Sequence, residues 1–273
     1  MKPKATPPSR AIYRGLAVWI GVTFGVTALV AAYLQVINVN PVTDFAPVII
    51  LAAYTPSLAA VVAATLAPGT GGLGALLKQL TVWRIRPAWY AGMLLGPFAL
   101  VLVALFLYSL LGGAAEGVIL PTGAVIGHMM GPLIAGSLGE ELGWRGYAQR
   151  LLQMRFSLLG ASMIVGILWA TWHLWPVLAP GGSAQLDALN VAEAYARLIA
   201  TAVIYGWAYA RTGSLLLVML AHAGHNIAID LLSPTALATT TLPMLVAGLY
   251  VAAAAALVVV RRKDFFGRPN SLA

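Results

Sequence analysis

Apolar runs of about twenty residues recur along this chain, at 15–36, 45–66, 89–111, 125–152, 157–178, 191–209, 214–232 and 242–260. A helix needs about 20 residues to cross roughly 30 Å of hydrocarbon. A bilayer offers no water to open backbone groups, so repeated runs of this length leave few folds available. The expected fold is all-α: a polytopic membrane protein with eight transmembrane helices. Composition agrees, because 9% of the 273 residues are charged and the mean hydropathy is +0.88, whereas a soluble domain is about a quarter charged. The first run exceeds the apolar core of a secretory signal, about 7–15 residues, and is read as a retained span. Gly131-Pro132 interrupts the fourth run. Proline starts or kinks a helix, so the working helix is placed at about 132–153, with His128 before it near an interface.

The distribution of the basic residues suggests how the spans are oriented. Lys and Arg collect in the first 14 residues, at Lys78 to Arg86, at Arg150 and Arg155, at Arg211, and from Arg261 to Arg268. The connections 38–44, 112–123, 179–190 and 233–241 contain none. Alternation of this kind, with basic tails at 1–14 and 261–273, predicts an even number of spans and both termini in the cytoplasm. The net charge of +8 is thus a topology signal lying between apolar runs, and no nucleic-acid partner is expected; the partner is the lipid bilayer. Between the second and third runs, Leu73, Leu76, Leu77 and Leu80 alternate with Lys78, Arg84 and Arg86 over 69–87. That spacing predicts an amphipathic helix on the cytoplasmic face. The chain reads as a single integral membrane domain, 1–273. It has no cysteine, which excludes disulfides and thiolate metal sites.

Against this apolar background a few polar residues need a reason. Ionisable side chains inside a span are expensive and usually face a functional or water-filled cavity. Glu140 and Glu141 are adjacent on the fourth run; His173 lies on the fifth, and His222, His225 and Asn226 on the seventh. Glu141 and Arg145 are i,i+4 and can form an ion pair. Glu140 is turned about 100° away, without such a local partner. Counted from a hairpin turn near Arg155-Phe156 at 1.5 Å per residue, Glu140 and His173 differ in depth by about one helical turn. His222 and Asn226, again i,i+4, fall in broadly the same layer, while His225 is one residue off their face. Glu193 and Arg197 are placed to pair with each other. Trp169, Trp172 and Trp175 are expected to serve packing and anchoring.

One carboxylate and two histidines from separate helices suit hydrolysis by either of two routes. His173, His222 and Glu140 or Asn226 can hold a divalent metal such as zinc that activates water. With no metal, Glu140 assisted by His173 acts as general base, and His222 with Asn226 stabilises an oxyanion. The zinc-protease spacing His-Glu-x-x-His is absent.

In order, Glu140-Glu141-x-x-x-Arg145, Trp169-x-x-x-His173 and His222-x-x-x-Asn226 resemble the CPBP family of CAAX proteases and bacteriocin-processing (Abi) enzymes, which includes the Ras-converting type of CAAX prenyl protease. The likeness covers 132–232. It implies an eight-helix intramembrane endopeptidase whose Glu140 and His173 activate water. His222 and Asn226 would stabilise the oxyanion, with Glu141 and Arg145 in support. It further implies a peptide or membrane-protein substrate, prenylated in the CAAX type. Trp169 stands where the family pattern usually has Phe. Two other functions are compatible with the same residues: a transporter or ion relay using Glu140 and the histidines, and a non-catalytic immunity or scaffold protein of the same fold.

Overall fold

The computed structural model describes residues 9–41, 47–67, 71–113, 136–180, 187–230 and 240–267. Their regular structure is helical: α1 Ser9–Ile37, α2 Pro47–Leu66, α3 Gly72–Leu77, α4 Pro87–Leu110, α5 over 136–152, α6 Leu158–Trp172, α7 Ala188–Thr212, α8 Leu215–Asp230, α9 Thr241–Val260 and α10 Arg262–Phe265. The eight longer helices lie where the apolar runs predict them. Four of these, α1, α2, α4 and α9, are long and apolar enough to cross a membrane. Among their outward side chains, Leu29, Phe106 and Val259 are 72%, 61% and 72% exposed. Apolar surface on this scale belongs against hydrocarbon, and the protein is a polytopic integral membrane protein. The helices α6 and α8 have 15 and 16 residues, about 22–24 Å of rise, and α7 carries Glu193, Arg197 and Arg211.

Several local expectations change. The helix expected over 69–87 is six residues of α-helix followed by a 3-10 turn, Lys78–Thr81, with Leu76 fully buried. Gly71 and Gly72 take positive φ at its start and Pro87 opens the next helix, so the segment is too short for a surface-lying amphipathic helix. The N-terminal tail is helical from Ser9, and Ile12 is buried. In the C-terminal tail, α10 buries Phe265 and Asp264 accepts from Trp207 Nε1 at 3.0 Å. The predicted fifth span stops at Trp172 because Pro176 cannot continue it. Gly131-Pro132 and His128 lie outside the described residues.

The helix that carries both glutamates is held by its glycines. Without a hydrophobic force between helices in lipid, close backbone approach at small residues supplies the packing. Gly139 and Gly143 lie against α2: a Cβ on Gly139 would stand 2.7 Å from the Ala53 carbonyl oxygen, and one on Gly143 would run into the carbonyl of Pro56. Pro56 is itself inside α2 and removes one backbone donor. Thr55 Oγ1 donates to the Ala52 carbonyl at 2.7 Å, and the Pro56 carbonyl accepts from Trp19 Nε1 at 2.9 Å. A second seam joins α6 to α7, where a Cβ on Gly166 would stand 2.8 Å from Ile199 Cα. Thr27, Thr55 and the indole of Trp172 form a buried hydrogen-bonded knot that ties α1 and α2 to α6.

Candidate active site

The fourth helix is not a plain α-helix. It is α-helical over Gly139–Glu141, π-helical over Leu142–Gln149 and α-helical again over Arg150–Leu152. A π segment widens the turn and re-aims side chains, and such segments are frequent at functional sites. Every residue from Gly139 to Gln149 is buried. Burial of this completeness makes an unpartnered polar group costly.

Glu141 is the anchor of the cluster. Its two carboxylate oxygens accept from Arg145 Nη1 at 2.7 and 2.9 Å, and Oε1 also accepts from His222 Nδ1 at 2.8 Å. The Arg145 guanidinium is fully buried and lies 4.3 Å from the Trp169 ring centroid and 5.2 Å from that of Tyr205. The expected i,i+4 ion pair is therefore present, and it reaches further than the sequence indicates. By holding Nδ1–H of His222, Glu141 leaves Nε2 facing inward, since the two ring nitrogens have separate partners.

Glu140 points to the other side, as the helical rotation predicts, and it too has a fixed partner. Trp169 Nε1 donates to Glu140 Oε2 at 2.6 Å. That leaves Oε1 for other work. A methyl group built on Gly136 would lie 2.9 Å from Asn226 Nδ2, 3.7 Å from Glu140 Oε1 and 3.9 Å from His222 Nε2. A carboxylate oxygen, an imidazole nitrogen and an amide nitrogen, drawn from α5 and α8, thus surround one spot. A side chain at Gly136 would intrude on that spot, because its Cβ would already press on Asn226 Nδ2.

His173 stands at the C-terminal end of α6. Its Nδ1 donates to the Trp169 carbonyl at 2.9 Å, so in the neutral ring Nε2 carries the lone pair. Trp169 therefore joins His173 to Glu140, through its carbonyl on one side and its indole on the other. The His173 ring also lines a cavity of about 370 Å³ with Asn190, Glu193 and Arg197. His225 does not enter the cluster. Its Nδ1 is 2.6 Å from the Tyr250 hydroxyl, and Arg197 Nη1 donates to its Nε2 at 3.1 Å. Arg197 is paired with Glu193 at 2.6 Å, as their spacing predicts. Among the described residues no three His, Asp or Glu side chains gather as a metal-ligand set. Glu140, His173 and His222 do not form such a set.

Two contributions to this site were not expected from the sequence. The indole of Trp169, expected only to pack, carries the bond to Glu140, and Gly136 carries no side chain to mark it. Trp169→Phe keeps the aromatic plane and loses the donor. For a hydrolysis that uses Glu140 as its base, kcat should fall about tenfold, the equivalent of about 1.4 kcal/mol, with KM unchanged, in steady-state assays. Gly136→Ala places a methyl among the three polar atoms, and its closest contact is the movable end of Asn226. Thermal unfolding should be unchanged while kcat falls about a hundredfold, the scale of an ångström misplacement in a site.

Residues 121–228 match the family model described as Type II CAAX prenyl endopeptidase Rce1-like. The chain is also 31% identical, over 140 residues, to a CAAX prenyl protease 2 from Methanococcus maripaludis. That alignment covers 49% of this chain and 50% of the relative, so the chain spans about half the length of the curated protein it matches. Gly136, Glu140, Glu141, Arg145, Trp169, His173, His222 and Asn226 all lie inside the matched segment. Residues 121–228, which carry the buried polar cluster, are thus similar to the CAAX prenyl endopeptidases of the Rce1-like type.

Proposed function

We propose that the protein is an intramembrane endopeptidase that hydrolyses peptide bonds with water activated by Glu140. The observation that carries this reading is the convergence of Glu140 Oε1, His222 Nε2 and Asn226 Nδ2 on one position beside Gly136. A scissile carbonyl placed there meets a base on one side and hydrogen-bond donors on the other. Glu140 Oε1 takes a proton from the attacking water, which adds to the carbonyl carbon. Asn226 Nδ2 donates to the oxyanion, and His222 Nε2 joins it when the ring is doubly protonated. The proton held on Glu140 then passes to the leaving amine, and the bond breaks. Trp169 holds Glu140 in position and, through its carbonyl, fixes the His173 ring, whose Nε2 is left able to relay a proton.

The similarity to CAAX prenyl endopeptidases extends the proposal to CAAX-type C-terminal processing of a prenylated peptide or protein. In the membrane we place all eight longer helices as spans, with both termini in the cytoplasm, on the alternation of basic connections. The test is cleavage of a peptide panel, prenylated and unprenylated, by the purified full chain in detergent, with and without a chelator. We expect cleavage of the prenylated substrates at an unchanged rate in chelator. Loss of activity in chelator and its return on adding zinc would overturn the metal-free mechanism. No cleavage of any peptide, by a folded protein, would overturn the enzyme reading.

A further inference from the structure

Away from the polar cluster, two cavities lie end to end on the face formed by α4, α7 and α9. The larger, about 680 Å³, is apolar and is walled by Gly92, Gly96, Pro97, Leu100, Ala253 and Leu257. The other, about 610 Å³, is rimmed by Arg84, Arg86, Arg211 and Arg261. Arg86, Trp89 and Trp207 border both. The two indoles stand 4.8 Å apart at the junction. The four arginines are exposed. Among the described residues the structure gives them one carboxylate partner, Asp264, at 3.6 Å from Arg211.

A cationic rim on an apolar groove fits a molecule with an anionic head and a hydrocarbon tail. The glycines matter to the fit: a Cβ on Gly92 or Gly96 would meet nothing within 4 Å, so the groove is open along α4. Arg211 is six residues beyond Tyr205 on α7, about 9 Å along the axis, and Tyr205 is the wall the groove shares with the polar cluster. A prenylated peptide would bring its polar end to that cluster. The charged rim is displaced from it toward the basic connections, where a phosphate of the bilayer sits. Basic pockets between spans are recognised sites for lipid head groups. We propose that this groove is a binding site for one anionic glycerophospholipid, with its phosphate on Arg86 and Arg261 and an acyl chain along Gly92 and Gly96. The proposal does not depend on the protease reading.

The test is native mass spectrometry of the full chain, equilibrated in mild detergent with equal phosphatidylglycerol and phosphatidylcholine. Each arginine near a phosphate is worth about a fivefold preference. Phosphatidylglycerol should be retained over phosphatidylcholine by at least that factor, and Arg86→Gln with Arg261→Gln should abolish the preference. Arg155→Gln, an exposed basic residue outside the groove, should leave it intact. Gly96→Leu fills open space and should remove the bound lipid of both kinds without lowering the unfolding temperature; Gly92→Leu repeats the test should the first variant fail to fold. Equal retention of the two lipids, or undiminished lipid on the leucine variants, would overturn the proposal. Displacement of the bound lipid by a farnesylated tetrapeptide, one for one, would assign the groove to substrate and also overturn it.

Discussion

Glu140→Gln should reduce kcat for peptide cleavage by about a hundredfold to ten-thousandfold, the span that a positioned general base supplies. The substitution keeps the size of the side chain. It also keeps an oxygen able to accept from Trp169 Nε1, which now lies 2.6 Å from Oε2. What it removes is the capacity of Oε1 to take a proton from water beside Gly136. KM should hold, because the carboxylate does not contribute to substrate binding in the proposed geometry. Thermal unfolding should hold as well, because the charge that neutralises buried Arg145 sits on Glu141. Asn226→Ala removes one donor to the oxyanion and should lose about a hundredfold to a thousandfold. The double variant should fall little below Glu140→Gln, since groups acting on one transition state are not additive. Cleavage by Glu140→Gln at the wild-type rate would remove Glu140 from the chemistry and with it the proposed mechanism.

What could be read from the sequence follows a physical divide. The Glu141–Arg145 and Glu193–Arg197 pairs depend on helical periodicity alone, and both are present. So does the opposite facing of Glu140. His222 and Asn226 share a face and point to one spot, while His225, one residue away, turns to Tyr250 and Arg197. Contacts between helices were less legible. That His222 binds Glu141, and that Trp169 binds Glu140, follows from how α5, α6 and α8 are rotated against each other, which periodicity within one helix does not specify. The fit of α5 on α2 was written in the Gly139-x-x-x-Gly143 spacing, a pattern for close helix contact in membranes. Gly136 had no signal of its own, because its contribution is the space left by a missing side chain. The π-helical stretch after Glu141 has no periodic signature over eight residues. The amphipathic segment misled for a related reason: its leucine spacing is helical, but the glycines at 71 and 72 and the proline at 87 leave little room for a helix between them.

Glu141→Leu should be the most destabilising single change in the cluster. Arg145 is fully buried, and its Nη1 donates to both oxygens of Glu141. Among the described residues its Nε and Nη2 have no hydrogen-bond partner, and the aromatic faces of Trp169 and Tyr205 cover the guanidinium. Removing the carboxylate leaves a buried cation without its counter-charge, at about 3–5 kcal/mol. Unfolding in detergent should shift to lower temperature accordingly. Replacing Arg145 by Met in the same chain should return most of that stability, because a buried ion pair exchanged as a whole for apolar groups is often neutral or better. Activity should not return with it. His222 Nδ1 would then lack the oxygen that now holds it at 2.8 Å, and Nε2 would no longer be fixed toward Gly136. Recovery of stability without recovery of kcat separates the two tasks of Glu141, charge compensation for Arg145 and orientation of His222. Recovery of both would show that the second task is not required. An unchanged unfolding temperature in the single variant would show that the first is not.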